Sequence, residues 1–477
     1  MQINPFVFRG YDIRGKVPED LDVKKVEAIA KAYGTFLQRR KIHQAVVGRD
    51  CRLSGEELQN SFVQGLTVTG IDVIDLGLIM TPMMYYGQYR FQTNGGVMLT
   101  ASHNPWNYNG FKFGVGYSQS TQQQEVQEIR SIVENDAFLK SEEKGTLVKK
   151  DITEDYYVDV LKRIRLKKKF KVVMEARHGV TGMYIPEVLK RAGCEVVGKN
   201  LEVDGHFPAG TPDPTDEKIM RQLAELVLKE KADVGFAFDG DGDRIGTADD
   251  KGHVLWNDVL VAIFAKEILE RFPGSKIVYN NLCSQVVREV IKQNGGIPIM
   301  WRTGHSFIKA KIAEERAVFG GELSGHFFFA DNAYGHDDAC YAALRVLEYI
   351  SDKNMSLSQL YETFPAYISS PEIKIGCPDE KKVEVIEDIS KKFKADFLGA
   401  EISDDTTIPD NDGVRADLSD GMIIFRYSQN GPYITIKFEA KDQATYEQRK
   451  KYVRELLKKY PEMIWQDELC VNLESLT

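Results

Sequence analysis

The sequence of 477 residues contains no apolar run near the roughly 20 residues that a membrane-spanning helix needs. Its N-terminal MQINPFVFRG has no basic lead before an apolar stretch, so a signal peptide is not expected there. No two cysteines stand in a C-x-x-C pair. Cys51, Cys194, Cys283, Cys340, Cys377 and Cys470 are scattered, which reads as reduced, mostly buried thiols of a cytoplasmic protein. Positive charge is not in excess. The net charge of −9 argues against a nucleic-acid partner and requires any anionic ligand to be held by local basic groups.

What is there is an ordinary globular composition, 43% hydrophobic and 28% charged, and enough chain for three or four domains. The most informative feature is a unit that occurs three times. In the first copy an apolar strand, Ala45-Val46-Val47-Gly48, precedes a helix in which Ser54 and Glu57 form a capping-box pattern and Leu58, Phe62 and Leu66 share a face. Gly70 then leads into the strand Ile71-Asp72-Val73-Ile74. The second copy starts at Lys171-Val172-Val173-Met174, with Thr181 as the expected cap and Gly193 as the helix stop. The third starts at Lys276-Ile277-Val278-Tyr279, with Ser284 as the cap and Gly295-Gly296 as the stop. Strand, helix and strand joined by short connections predict a parallel sheet covered by helices.

Each copy continues through Thr81-Pro82, Thr211-Pro212 or Thr303-Gly304 to another helix and a further apolar strand: Gly96–Leu99, Val234–Phe238 and Ala317–Phe319. Those strands run into the polar loops TASHNP, DGDGDR and GELSGH. Three loops at one position of a repeat, the carboxyl end of a strand, lie where open α/β sheets hold ligands. After Ser369 the pattern changes. A strand near Pro371–Ile375, a helix, the strands Met422–Phe425 and Ile434–Phe438 flanking RYSQNGP, and a last helix predict a smaller α+β domain. The alternation in Ile434–Phe438 predicts a half-buried strand.

The loops suggest chemistry. Asp239, Asp241 and Asp243 alternate with glycines, so their carboxylates converge, and their mutual repulsion calls for a cation. An EF-hand is the competing reading, but Arg244 stands where that loop needs glycine and Asp250 where it needs glutamate. Ser102 beside a divalent ion is suited to carry a phosphoryl group, with His103 and Lys112 near in sequence as proton carriers or phosphate ligands. Glu322, Ser324 and His326 suit the vicinal hydroxyls of a sugar. Arg426 with the small hydroxyl and amide side chains of RYSQNGP suits a phosphate cradle.

Together FRGYDIRG (Phe8 to Gly15), GRD (Gly48 to Asp50), TASHNP, NGFK (Asn109 to Lys112), DGDGDR, TGHS (Thr303 to Ser306), GELSGH and RYSQNGP resemble the α-D-phosphohexomutase superfamily, in its phosphomannomutase/phosphoglucomutase branch. The resemblance runs over nearly the whole chain. It implies three similar mixed-sheet α/β domains plus a smaller C-terminal α+β domain, in a heart shape with a central cleft. The expected divisions are 1–150 for the phosphoserine domain, 151–255 for the metal-binding domain, 256–368 for the sugar-binding domain and 369–477 for the phosphate-binding domain. It implies interconversion of hexose 1- and 6-phosphates of mannose or glucose through phosphorylated Ser102 and a 1,6-bisphosphate. Mg²⁺ would be held by Asp239, Asp241, Asp243 and the phosphate on Ser102. Arg9, Tyr11, Arg14 and Lys112 would surround the phosphoserine, with His103 in its loop. Arg244, His305, Glu322, Ser324 and His326 would meet the sugar, and Arg426, Ser428, Gln429 and Asn430 the phosphate that is not transferred. Proton transfer falls to His103, Lys112 or Arg14, the last being the poorest acceptor.

The sequence departs from the family's pattern in three places. Asn430 stands where threonine is usual, Leu282 where many members carry lysine, and Leu323 where the glucose/mannose branch has methionine. An apolar Leu323 favours that branch over phosphoglucosamine mutase, which is the rival enzyme reading. A catalytically silent sugar-phosphate-binding protein is the rival from another class, and would require loss of the serine or the carboxylates. No nucleic-acid or membrane partner is expected, and the protein is read as a cytoplasmic monomer or dimer.

Overall fold

The computed structural model describes residues 3–476. The first sheet contains β1 (Ile13–Lys16), β2 (Gln44–Arg49), β3 (Asp72–Leu78), β4 (Gly95–Leu99), β5 (Tyr108–Val115) and β6 (Leu147–Lys149), in the order β1-β5-β4-β2-β3-β6. Strands β4, β2, β3 and β6 are parallel, and β5 and β1 close one side antiparallel. The second set is β7 (Lys171–Glu175), β8 (Glu195–Lys199) and β9 (Val234–Phe238), ordered β9-β7-β8, followed along the chain by the hairpin β10 (Ile245–Asp249) and β11 (Val254–Leu255). The third contains β12 (Lys276–Asn280), β13 (Ile297–Trp301), β14 (Phe319–Gly321) and β15 (Phe327–Phe329), ordered β13-β12-β14-β15. The orders β3-β2-β4, β8-β7-β9 and β13-β12-β14 are one arrangement three times. The repeat read from sequence is therefore a structural repeat of mixed-sheet α/β units.

The fourth sheet is antiparallel and α+β, as expected. It holds β16 (Ile368–Ser369), β17 (Ile373–Gly376), β18 (Glu401–Ser403), β19 (Gly413–Leu418), β20 (Gly421–Tyr427) and β21 (Tyr433–Ala440). Its core joins Ile386, Ile389 and Phe393 of helix Lys382–Asp396 to Ile423, Phe425 and Ile436 of the sheet. By contacts the chain forms two compact units. One comprises the chain up to Asp213, Gly235–Ile245 and Asn332–Asp352, and the other the remainder.

In the first unit the core lies under one face of the first sheet. Helices Val23–Arg39 and Gly55–Val68 bury Tyr33 and Phe62, which stack on Phe113 at 4.4 Å and on Phe111 at 4.9 Å between ring centroids. Side chains alternate along a strand, so burying Phe111 and Phe113 on this face sends Lys112 to the other. Glycines Gly70, Gly193 and Gly295 follow their helices with positive φ, as expected for helix stops.

Several local expectations are corrected. Ser54 precedes its helix but makes no capping bond, because its hydroxyl accepts from Asn109 Nδ2 at 2.9 Å instead. Thr181 is the first residue of its helix and gives no cap bond. Ser284 does cap, accepting from the Val286 N–H at 3.1 Å. The strand before GELSGH begins at Phe319, two residues later than expected. Strand β21 is buried on both faces rather than half-buried. Its polar positions enter a buried network: Lys437 pairs with Asp258, and Glu439 accepts from the Gln285 N–H at 2.9 Å.

Where the chain returns to the first unit, the buried Asp338 opens helix Ala339–Lys353. Its carboxylate accepts from the Tyr341 N–H at 2.9 Å and the Tyr156 hydroxyl at 2.9 Å. Burial, added to by Asp337, pushes its pKa up to about 6 against these bonds. A carboxyl that keeps its proton longer in the folded state contributes stability that is complete below the ordinary aspartate pKa and is lost as pH rises to about 6, up to about 3 kcal/mol in all. Asp338→Asn is expected to flatten the fall in melting temperature between about pH 4 and 6.5. A variant with the wild-type slope, followed by calorimetry across that range, would remove Asp338 as its source.

Candidate functional site

Ser102 lies just beyond β4; it is buried and has a backbone φ of +50°, in the left-handed region that is unfavourable to a residue with a Cβ. From this conformation its hydroxyl donates to Asp239 Oδ2 at 2.6 Å, while His103 Nδ1 stands 3.2 Å from Ser102 Oγ. Asp239, Asp241 and Asp243 follow β9, and one oxygen of each lies within 4.8 Å of the others. All three are fully buried. Gly242, at φ +78°, supplies the bend that turns alternate side chains to one point, and Asp239 Oδ1 accepts the Gly242 and Arg244 N–H groups at 3.0 and 3.2 Å. A side chain at Gly240 would come 2.8 Å from the Ser102 carbonyl, so glycine there permits the two loops to approach.

Lys112 reaches the same place from β5. Its ammonium donates to Asp241 Oδ2 at 2.7 Å and also to Asp243. Burial and the charges of Asp241 and Asp243 push Asp239 well above the usual carboxylate range. Asp241 is buried as well, but Lys112 and the hydroxyl of Thr81 outweigh that and hold it well below the range. The Lys112 ammonium is likewise held protonated, because Asp241 and Asp243 overcome its burial. The two neighbouring carboxylates are thus driven in opposite directions, Asp241 toward ionisation against an internal cation and Asp239 away from it.

The donor set fits a hard divalent cation. It consists of oxygens only, it is buried, and Asp241 Oδ1 has no hydrogen-bond partner among the described residues. FRGYDIRG folds back at Phe8–Ile13 into β1, where Arg14 donates from Nε to Asp12 Oδ2 at 3.0 Å. Arg14 Nη1 is buried without a hydrogen-bond partner among the described residues, as suits a group awaiting an anion. Arg9 is half-buried, and Tyr11 and Arg244 are buried in the same unit.

In the other unit the loop after β14 buries Glu322, Ser324 and His326. Glu322 accepts the Gly304 N–H at 2.8 Å, and the His305 and His326 rings lie 5.4 Å apart, so TGHS and GELSGH form one cluster. Leu323 is buried, with its N–H on Asn280 Oδ1 at 3.1 Å, and Leu282 is fully buried. At the end of β20, Arg426 pairs with Asp412, Nε to Oδ1 at 2.9 Å, and in the β20–β21 loop Ser428 Oγ accepts the Asn430 N–H at 3.1 Å. Gln429 and Asn430 are half-buried beside them.

Sequence reasoning missed Thr81. Its hydroxyl donates to Asp241 Oδ2 at 2.6 Å and its N–H to the Asp241 carbonyl at 2.8 Å. The signal was its recurrence as Thr81, Thr211 and Thr303 at one point of the repeat. Thr303 also works through its hydroxyl, donating to Asn281 Oδ1 at 2.7 Å. Asp50 and Thr100, which support Ser102 from behind, were likewise given no role.

Residues 5–140, 150–252 and 256–367 match the phosphoglucomutase/phosphomannomutase alpha/beta/alpha domains I, II and III. The chain is 37% identical to a phosphomannomutase/phosphoglucomutase of Pseudomonas syringae over 92% of each chain. It is 35% identical to a phosphoglucomutase of Neisseria gonorrhoeae over 96% of this chain and 98% of the relative. Among solved structures, a phosphoglucomutase/phosphomannomutase family protein from Burkholderia thailandensis superposes with a TM-score of 0.85 at 32% identity, covering 96% of this chain and 98% of that one. On these matches, and on loops at strand ends that bring together buried carboxylates and a serine beside a lysine of β5, the chain belongs to the phosphoglucomutase/phosphomannomutase family.

Proposed function

We propose that the chain interconverts hexose 1-phosphate and hexose 6-phosphate, of mannose or glucose, through phosphorylated Ser102 and a hexose 1,6-bisphosphate. The observation that carries this reading is the Ser102 hydroxyl 2.6 Å from Asp239, among three buried carboxylates and one buried ammonium. A seryl phosphate here gives its phosphoryl group to the free hydroxyl of the substrate. The P–O bond to serine breaks, a P–O bond to the sugar forms, and the sugar hydroxyl loses its proton. The bisphosphate then turns round and returns its other phosphoryl group to Ser102.

The chain's own groups have separable tasks. Lys112 is a fixed positive charge in this arrangement, since its proton is held tightly by Asp241 and Asp243. His103, with Nδ1 3.2 Å from Ser102 Oγ, is placed to accept or give a proton there. Arg14, Arg9 and Tyr11 line the phosphoserine end, and the unpartnered Arg14 Nη1 supports an anion beside it. Asp239, Asp241 and Asp243, with an oxygen on Ser102, would hold Mg²⁺. When bound, that ion supplies charge neutralisation at the phosphoryl group.

Arg244, His305, Glu322, Ser324 and His326 are assigned to the sugar, and Arg426, Ser428, Gln429 and Asn430 to the phosphate that stays in place. The division into domains 1–150, 151–255, 256–368 and 369–477 follows these tasks and is supported by the four sheets. A cytoplasmic setting is supported by six free thiols. The net charge of −9, and no helix among the described residues long and apolar enough to cross a membrane, support the reading without nucleic-acid or membrane partners.

Ser102→Ala is expected to abolish interconversion of glucose 1- and 6-phosphate, and of the mannose pair, in a coupled assay; unchanged turnover would refute the assignment. Chelation is expected to stop turnover and added Mg²⁺ to restore it. Asp241→Asn is expected to weaken binding of Mg²⁺ alone by ~10-fold or more in calorimetry, because a buried charge partner is lost. An unaltered dissociation constant would place the ion elsewhere.

A further inference from the structure

Ser102 owes its conformation to a pair of residues that touch neither the carboxylate triad nor the Ser102 hydroxyl. Arg52 and Asp50 are both fully buried, in the turn after β2. All five N–H donors of the Arg52 guanidinium are used. Nε donates to Asp50 Oδ2 at 3.1 Å. Nη2 donates to the carbonyls of Ser102 at 2.9 Å and Asn104 at 2.7 Å. Nη1 donates to those of Pro105 at 2.5 Å and Tyr108 at 3.0 Å. One side chain therefore gathers four carbonyls of the loop that carries the serine. The Phe207 ring lies 5.1 Å from the guanidinium carbon, within cation–π range.

Asp50 works on the other side of the serine. Its Oδ2 also accepts from the Thr100 hydroxyl at 2.7 Å, and Thr100 Oγ1 in turn accepts the Ser102 N–H at 2.8 Å. Its Oδ1 takes the Arg52 N–H at 3.0 Å. The N–H of Ser102 is thus held through Thr100 and its C=O by Arg52, and both lines meet at one carboxylate. Fixing the peptide groups before and after a residue fixes its φ and ψ. That is what a serine at φ +50° requires, since this region is unfavourable to a residue with a Cβ.

We propose that Arg52, oriented by Asp50, is the positioning residue that holds Ser102 in its left-handed conformation and so aims its Oγ at Asp239. The inference rests on Ser102 being the phosphoryl carrier for its catalytic consequence, and on geometry alone for its structural one. Lysine keeps the charge of Arg52 but is a point donor that cannot span Asp50 and four carbonyls.

Arg52→Lys is therefore expected to raise hydrogen exchange in the peptide covering residues 100–108 by ~10-fold or more, with exchange of the Asp239–Arg244 loop little changed. Its kcat for glucose 1-phosphate should fall on the order of 10²-fold while KM stays within about 3-fold, since the loss is in aim rather than in sugar binding. Asp50→Asn keeps the guanidinium and removes its ion-pair partner. It should show the same split at smaller amplitude, and it carries the test if the lysine variant does not fold. Wild-type kcat in a folded variant, or unchanged exchange over residues 100–108, would overturn the proposal. Activity in Ser102→Ala would instead remove the reading of Ser102 while leaving the exchange result intact.

Discussion

Three aspartates whose oxygens lie within 4.8 Å of one another, all out of contact with water and one of them bonded to a serine, cannot exist without compensating positive charge. That constraint organises the first unit. A buried carboxylate left unpaired is costly, and three together repel one another as well. The structure answers with an ammonium from Lys112 on Asp241 and Asp243, and with hydroxyls from Ser102 on Asp239 and from Thr81 on Asp241. A site whose carboxylates are held by groups that can give way to a stronger cation and to a phosphate dianion is suited to phosphoryl transfer, in which charge must be neutralised as it moves.

The fold meets this demand by simple means. Each sheet puts a loop at the carboxyl end of a strand, and the loops after β4 and β9, from two sheets, meet where Ser102 donates to Asp239. The alternation of β5 places Phe111 and Phe113 in the core and Lys112 opposite them, so the packing of Tyr33 and Phe62 also determines where the ammonium points. The other unit uses the third copy of the arrangement to bury Glu322, Ser324 and His326, and the antiparallel pairing of β19 with β20 to hold Arg426 against Asp412.

Much of this was legible in the sequence, and the parts that were not share a cause. The triad and the serine loop are contiguous motifs, and the repeated strand–helix–strand unit announced both the sheets and the loop positions. Lys112 was visible as a residue, but its two ion pairs depend on the antiparallel register of β5 against β4, which no local pattern encodes. Ser54 and Thr181 had the chemistry of helix caps. Ser54 spends its hydroxyl on Asn109, a partner more than 50 residues away, which propensity cannot anticipate. The alternation of β21 was real, but Lys437 and Glu439 face buried partners rather than solvent, because Asp258 and Gln285 come from a distant segment. Asp50 lay inside a recognised motif and still gave no hint of its role, since that role exists only once β2 and β4 lie side by side.

The mechanism turns on the phosphoryl group passing through Ser102. A rapid-quench experiment with Mg²⁺ checks this by mixing the dephosphorylated enzyme with hexose 1,6-bisphosphate carrying labelled phosphate, and then with unlabelled hexose monophosphate. The mechanism predicts label on the peptide containing Ser102 within a single turnover, and then on the monophosphate, as new bisphosphate, no more slowly than steady-state turnover. Turnover of the sugar phosphates with no label passing through that peptide would contradict it.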